Sequence, residues 1–142
     1  MQLIKVVPDT NQGYLIMKRI KVNGLTTRYL FNPSAKIYRN GEKIGIVGYE
    51  SSTYIDVEDE TNLTFKVMFN KTSLAFDSNN VTEIFLFLDR FSGSLKAYPA
   101  TCETVNSIRE LIGSRQAAAN LKTYLLLFAL ILFPVLLALL AA

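Results

Sequence analysis

The sequence predicts a small, mainly β domain followed by helical segments, the last of which spans a membrane. Short segments of alternating apolar and polar residues recur between turn signals over the first 100 residues. The pattern then changes to helical spacing, and the final 20 residues carry no charged side chain. We therefore divide the chain into a β domain (1–100), a juxtamembrane helical linker (101–122) and one C-terminal transmembrane helix (123–142).

The clearest strand signal is "KIYRNGEKIG", in which Asn40 and Gly41 separate two alternating segments. Asn-Gly is a preferred two-residue type I′ hairpin loop, because both central residues need a positive φ. The expected register pairs Arg39 with Glu42, Tyr38 with Lys43, and Ile37 with Ile44. One face should then carry Ile37, Ile44 and Ile46, and the other Lys36, Tyr38 and Lys43.

A second alternating segment, "LTFKVMF", is expected to place Leu63, Phe65, Val67 and Phe69 on one face of a strand. Turn signals recur at 23–24, 40–41, 59–62, 70–73, 78–80 and 92–93. This spacing predicts about seven strands in a small antiparallel β-sandwich or a partly closed barrel. A ferredoxin-like α+β domain is the alternative, but it needs helical periods that are missing before residue 103.

The segment "VTEIFLFLD" is apolar on both faces, since Phe85 and Phe87 alternate with three aliphatic residues. One interpretation is a central strand covered on both sides, with the segment after Thr101 as one cover. The other is an exposed aromatic patch, with Phe85 and Phe87 as contacts for a partner or for the bilayer surface.

The linker "ETVNSIRELIGSRQAAANLK" has helical spacing of its apolar residues, which are Val105, Ile108, Leu111 and Ile112. Ser107 and Glu110 have the spacing of a capping box, and Gly113-Ser114 is a candidate bend. A helical spacer continuous with the membrane helix is favoured over a helix that binds a specific partner.

The last 20 residues extend about 30 Å as a helix, which matches the hydrocarbon core of a bilayer. We expect Tyr124, Phe128, Phe133 and Pro134 to belong to this membrane anchor, because spanning helices tolerate an internal proline. The alternative of a buried core helix is disfavoured, since a β domain of this size cannot surround such a helix.

Arg109, Arg115 and Lys122 precede the span, and no charged side chain follows it. The positive-inside rule then places the N-terminal domain on the cytoplasmic side. "MQLIKVVPDTNQ" lacks the apolar run of a signal peptide, so we expect a tail-anchored, single-pass protein. A GPI-type tail is the alternative, but it requires an export signal.

Composition argues against several classes of chemistry. The chain has no histidine and a single cysteine, Cys102, which excludes His-based catalysis and zinc sites built on these ligands. The net charge of +3 is too small and dispersed for nucleic acid. We predict a non-enzymatic protein without a cofactor. A calcium site at "DVEDET" and palmitoylation of Cys102 are the less favoured alternatives.

A basic segment, "MKRIK", places Arg19 and Lys21 on one face of a strand and Lys18 on the other. Near a cytoplasmic membrane surface each cation contributes roughly 1 kcal/mol towards anionic lipid. Lys18, Arg19 and Lys21 are therefore candidate partner or lipid contacts. The favoured alternative is a solvated strand edge whose charges discourage aggregation.

Residues 32–45, "NPSAKIYRNGEKIG", resemble the opening of PEGA-type domains and small bacterial β-sandwich proteins that carry a hydrophobic C-terminal segment. The resemblance covers roughly residues 32–69. It departs from the PEGA pattern where "IVGYESS" replaces the Thr-Pro and "EDETN" replaces a Pro-Gly turn. The resemblance implies a β-sandwich with a non-catalytic role, and it implies no ligand.

The sequence therefore predicts a membrane-anchored β domain that acts by binding. In one hypothesis it is an accessory or scaffold subunit whose membrane helix packs on another membrane protein. The packing positions are then Ala129, Pro134, Ala138 and Ala141. In the other, the domain is an independent recognition module for protein or anionic lipid, and the tail is a plain anchor.

Overall fold

The computed structural model describes residues 4–8, 14–26, 32–89 and 92–141. In these residues nine strands precede one long helix, so there are more strands than the seven or so predicted. The elements are β1 (Ile4–Pro8), β2 (Tyr14–Asn23), β3 (Ala35–Arg39), β4 (Glu42–Val47), β5 (Ser52–Val57), β6 (Glu60–Val67), β7 (Asn70–Asp77), β8 (Glu83–Leu88), β9 (Leu95–Ala100) and α1 (Val105–Leu140). Residues 1–3 and 9–13 lie outside the described residues. They belong to the N-terminal stretch in which the sequence shows no signal peptide.

The strands form two sheets, which confirms the predicted mainly β domain with a C-terminal apolar helix. In the five-stranded sheet, β2 pairs with β1, β5 and β8, and β8 pairs with β9. The four-stranded sheet has the order β4-β3-β6-β7. All pairs are antiparallel except β2 with β8, which are parallel. The sheets approach each other where β7 lies near β9 and where β4 lies near β5.

Apolar side chains from both sheets fill the space between them. The largest fully buried ones are Phe65, Ile20, Leu25, Ile37, Leu63, Ile84, Leu86 and Leu88. Alternation explains this core, because every second residue of a strand points to the same face. Each such side chain contributes about 1.5–3 kcal/mol relative to full exposure, so the core dominates the stability of the domain.

The β3–β4 hairpin confirms the predicted loop, since Asn40 and Gly41 have φ of 51° and 83°. Next to the loop the predicted pairs Arg39–Glu42 and Tyr38–Lys43 are also present. The pairing of Ile37 was wrong, because a register shift after Ile37 pairs it with Gly45. The extra residue turns Ile46 outward, where it is 47% exposed instead of facing the core.

The β6–β7 hairpin confirms three of the four predicted inward positions, since Leu63, Phe65 and Val67 are all fully buried. Phe69 was wrongly placed on that face and is 99% exposed. The strand ends at Val67, and Met68 and Phe69 form a two-residue loop before Asn70 begins β7. The turn predicted at residues 70–73 therefore lies earlier in the chain, at residues 68–69.

Helix α1 continues without interruption from Val105 to Leu140, including the Gly113-Ser114 step where a bend was predicted. The capping box was wrong, because Thr104 occupies the N-cap and Ser107 lies inside the helix. Before the helix, the N–H of Thr101 donates to Thr104 Oγ1 at 2.9 Å. The N–H of Thr104 donates in return to Thr101 Oγ1 at 3.2 Å.

Candidate membrane anchor and its contact with the domain

The first half of α1 packs on the outer face of the five-stranded sheet and forms a second apolar cluster there. The buried members are Phe85, Phe87, Ala100 and Ile112, and Tyr98, Val105 and Ile108 are partly buried around them. The helical members recur at intervals of three or four residues, so they form one stripe on the helix. This stripe is the surface through which the domain holds the helix.

The cluster decides between the two interpretations of the doubly apolar strand. Phe85 and Phe87 are only 8% and 5% exposed, because the residues after Thr101 cover them. The predicted central strand, covered on both faces, is therefore what the structure contains. The alternative of an exposed aromatic patch was wrong, since neither ring is at the surface.

Polar contacts supplement this packing. Arg115 Nη1 donates to Tyr98 Oη at 2.6 Å. Gln116 Nε2 donates to the Thr26 carbonyl at 2.8 Å, and Thr26 Oγ1 donates to Gln116 Oε1 at 2.7 Å. The Arg109 guanidinium lies 5.9 Å from the centroid of the Phe85 ring. Sequence reasoning missed these pairs, because nothing in the local pattern links Thr26 to a residue 90 positions later.

The second half of α1 has the opposite character. None of residues 123–141 is buried, and the predicted anchor residues Tyr124, Phe128 and Phe133 are 64–69% exposed. Pro134 lies within the helix and does not end it. By length and composition α1 can cross a membrane, and it is the one such helix within residues 4–8, 14–26, 32–89 and 92–141, which indicates a membrane protein.

The four predicted packing positions on the anchor do not share one face. At about 100° per residue, Pro134, Ala138 and Ala141 lie within roughly 60° of one another on an ideal helix. Ala129 lies on the opposite side, about 120–180° away from them. A helix–helix contact built on small residues therefore uses the first three and leaves Ala129 towards lipid.

The predicted basic contacts lie at the end of the domain where α1 begins, since β2 runs parallel to β8 with Lys21 beside Glu83. Each has a polar neighbour. Arg19 Nε lies 3.0 Å from Asp56 Oδ1, Lys21 Nζ lies 3.9 Å from Glu83 Oε2, and Lys18 Nζ bonds Asn79 Oδ1. A hydrogen bond from Arg19 to Asp56, and then the charge of that carboxylate, raise the pKa of Arg19 above its ordinary value.

These contacts favour solvated side chains over a lipid surface for the "MKRIK" segment. The predicted strand edge was wrong, because β2 is an internal strand that pairs with β1, β5 and β8. Asp56, one of the acidic residues considered for calcium, is engaged by Arg19. Among the residues that the structure describes, no three His, Cys, Asp or Glu side chains are grouped closely enough to hold a metal ion. Cys102 lies exposed in the turn before the helix.

A cleft of about 530 Å³ separates α1 from the loops that follow β2 and β4. Its apolar floor includes Phe85 and Ile112, and its rim includes Glu50 and Arg109. Gly113 faces open space, because a Cβ there would meet nothing within 4 Å. The cleft combines an apolar floor with charges of both signs, a composition suited to a small amphipathic segment or molecule.

Comparison of the chain with protein-family models, characterised proteins and solved structures finds no match.

Proposed function

We propose that this chain is a non-catalytic accessory or scaffold subunit of a membrane-associated complex, with its β domain on the cytoplasmic side of the membrane. The observation that carries the proposal is the continuous helix α1. Its first half is packed on the domain through Ile112 and Gln116, and its second half is uncharged and has no buried residue. Such a helix ties the domain firmly to the bilayer instead of leaving it on a flexible linker.

A firm connection suits a subunit that must present a surface at one height and one orientation above the membrane. Tethering also raises the effective concentration of the domain for partners in the same membrane. The non-catalytic role is supported by the absence of histidine from the chain and by the β-sandwich, which the resemblance to PEGA-type domains also implies.

The deciding experiment purifies the full chain from its native membrane in a mild detergent and measures the stoichiometry of copurifying proteins. The scaffold proposal predicts a membrane-protein partner in constant ratio. Replacing residues 123–140 with a leucine-rich helix of the same length leaves the packed half of α1 intact and should release that partner. Recovery of the chain alone contradicts the proposal.

The second candidate is a recognition module on a plain anchor, and the 530 Å³ cleft favours it. This function predicts that the leucine-rich anchor leaves binding unchanged. Substituting Gly113 with leucine adds a side chain to the lining of the cleft, at a position where a Cβ meets nothing within 4 Å, and should reduce binding of a cleft ligand. Gly113→Ala is the matched control, since it adds one methyl group towards open space.

The orientation can be tested with the native thiol. Cys102 is exposed and is the only cysteine in the chain, so a membrane-impermeant maleimide reports on which side the domain lies. A cytoplasmic domain predicts labelling only after the membrane is permeabilised. Labelling in intact cells contradicts the proposed side. A Cys102→Ser variant with Ala141→Cys should show the reverse pattern.

A further inference from the structure

The direction of α1 defines which end of the domain lies nearest to the bilayer. The helix begins beside β9, where the N–H of Val105 donates to the Thr101 carbonyl at 3.0 Å. Further along, Ile112 packs with Phe85, and Lys122 lines a cleft together with Asp89 just beyond the end of β8. The helix therefore runs alongside β8 and leaves the domain at the end formed by the β8–β9 loop.

The β6–β7 loop, Met68–Phe69, lies at this same end. Gly93 of the β8–β9 loop is next to Asn70, because a Cβ on Gly93 would lie 3.8 Å from Asn70 Oδ1. The other end of β7 leads to Asn79, which bonds Lys18 near the start of β8. The apolar part of α1 begins directly after Lys122, so no spacer separates this end of the domain from the membrane.

The Met68–Phe69 loop is unusual for a loop in water. The two side chains are 64% and 99% exposed, and Met68 has a φ of 52°. A two-residue hairpin loop with a positive φ at its first position ordinarily uses glycine or asparagine there. Strained backbone conformations cluster at functional sites, and exposed apolar side chains mark surfaces that contact a protein or a membrane.

Next to this loop three exposed lysines form a row across the four-stranded sheet. Lys36 of β3 pairs with Lys66 of β6, and Lys66 pairs with Lys71 of β7. Like charges directly opposite each other are unfavourable in a sheet. The row lies only one residue from the loop on each of β6 and β7, so its charges are at the height of lipid phosphates when the loop reaches the bilayer.

We propose that the Met68–Phe69 loop inserts into the interfacial region of the same bilayer that α1 spans, and that the lysine row binds anionic phospholipid headgroups. This inference rests on the membrane anchoring in the proposed function. The occupant is lipid because the loop is beside the point where the membrane helix leaves the domain, and because the adjacent charge is positive. Two contacts then fix the tilt of the domain.

The test uses the full chain in vesicles that contain anionic lipid, with and without brominated acyl chains. The chain has no tryptophan, so each substitution introduces a single tryptophan that can be excited selectively. Phe69→Trp reports on the loop, Phe133→Trp on the anchor, and Tyr54→Trp on an exposed site that is 62% accessible on β5. We expect bromine to quench Phe69→Trp and Phe133→Trp, and the emission of Phe69→Trp to be blue-shifted relative to Tyr54→Trp.

Unquenched Phe69→Trp with quenched Phe133→Trp overturns the inserted loop while the anchor stands, whereas unquenched Phe133→Trp overturns the anchor itself. A blue shift of Phe69→Trp without quenching assigns the loop to a protein contact and overturns the lipid assignment.

The lysine row is tested by charge reversal. Lys66→Glu with Lys71→Glu should reduce quenching of Phe69→Trp, and high salt should act in the same direction. Lys43→Glu, an exposed lysine next to the β3–β4 loop, is the matched control and should leave quenching unchanged. Equal quenching in neutral vesicles, or no response to the double reversal, overturns the role of the row.

Discussion

The two hairpins of the four-stranded sheet have loops of the same length and opposite chemistry. Asn40-Gly41 uses two residues that adopt a positive φ readily, and both are exposed and polar or small. Met68–Phe69 places a methionine in that conformation and exposes a complete phenylalanine ring.

The two loops also lie at opposite ends of the sheet. Because β3 and β6 are antiparallel with Arg39 opposite Leu63, the β3–β4 loop extends away from Met68. Local turn preferences are therefore followed at the end where the chain only has to turn. They are broken at the end where the membrane helix leaves the domain.

The largest effect that tests the comparison comes from two phenylalanines on the same hairpin. Phe65→Ala should lower the free energy of unfolding by about 3–5 kcal/mol, because it leaves a cavity at a fully buried position between the sheets. Phe69→Ala should change it by less than about 0.5 kcal/mol. Denaturant unfolding of the full chain in detergent micelles measures both, and equal losses would contradict the description of the loop.

A smaller loss of unfolding free energy is expected when a β-branched side chain is placed in the Asn40-Gly41 loop. Gly41→Val forces a β-branched residue to a φ of 83° and should destabilise the domain by about 1–2 kcal/mol. Asn40→Gly keeps the positive φ accessible and serves as the control, with a change of a few tenths of a kcal/mol. If Gly41→Val left the midpoint of unfolding unchanged, the loop would not depend on its backbone conformation.

In the Met68–Phe69 loop we expect a substitution to change the free energy of unfolding in the opposite direction. Met68→Gly removes the Cβ strain at a φ of 52° and should raise the free energy of unfolding by about 0.5–1 kcal/mol in micelles. Phe69→Gly, at the other loop position, relieves no positive φ and should be neutral or slightly destabilising. A destabilised Met68→Gly variant would show that the methionine side chain supports the fold.

The smallest expected effect separates stability from membrane contact. Lys71→Glu replaces the like-charge pairing with Lys66 by an attraction and should stabilise the domain in micelles by about 0.2–1 kcal/mol. In anionic vesicles the same substitution should weaken the loop–lipid contact. A loss of stability in micelles would mean that the lysine row is held by contacts within the domain.

Periodicity was sufficient to predict the parts of the fold that depend on neighbouring residues. Alternation predicted the inward positions Leu63, Phe65 and Val67, and the Asn-Gly signal predicted a loop with both φ positive. The apolar character of both faces of "EIFLFL" predicted a strand with two covers, and the helix after Thr101 is the second cover. These features follow from one strand or one turn at a time.

The errors arose where geometry depends on a partner strand or on a cost that local chemistry does not reveal. The register shift at Ile37 is decided by pairing with β4 and exposes Ile46. The loop at Met68 lacks glycine and asparagine, so no residue preference marked it as a turn. The Thr26–Gln116 contact at the candidate anchor joins distant segments, and only the tertiary arrangement brings them together.

Because α1 is unbroken, the number of residues between the domain and the membrane sets the angle of the domain about the helix axis. Helix α1 is packed on the domain at Ile112 and continues to Leu140. Each residue inserted between these points therefore rotates the domain about the helix axis by about 100° relative to the bilayer-embedded part. One alanine inserted after Lys122 should therefore turn the domain away from any neighbour bound to the anchor. Seven inserted alanines, which complete nearly two turns, should return it to almost the original azimuth at a greater height. The helix thus holds the domain at one azimuth, and the height of the domain above the bilayer can be changed without changing that azimuth.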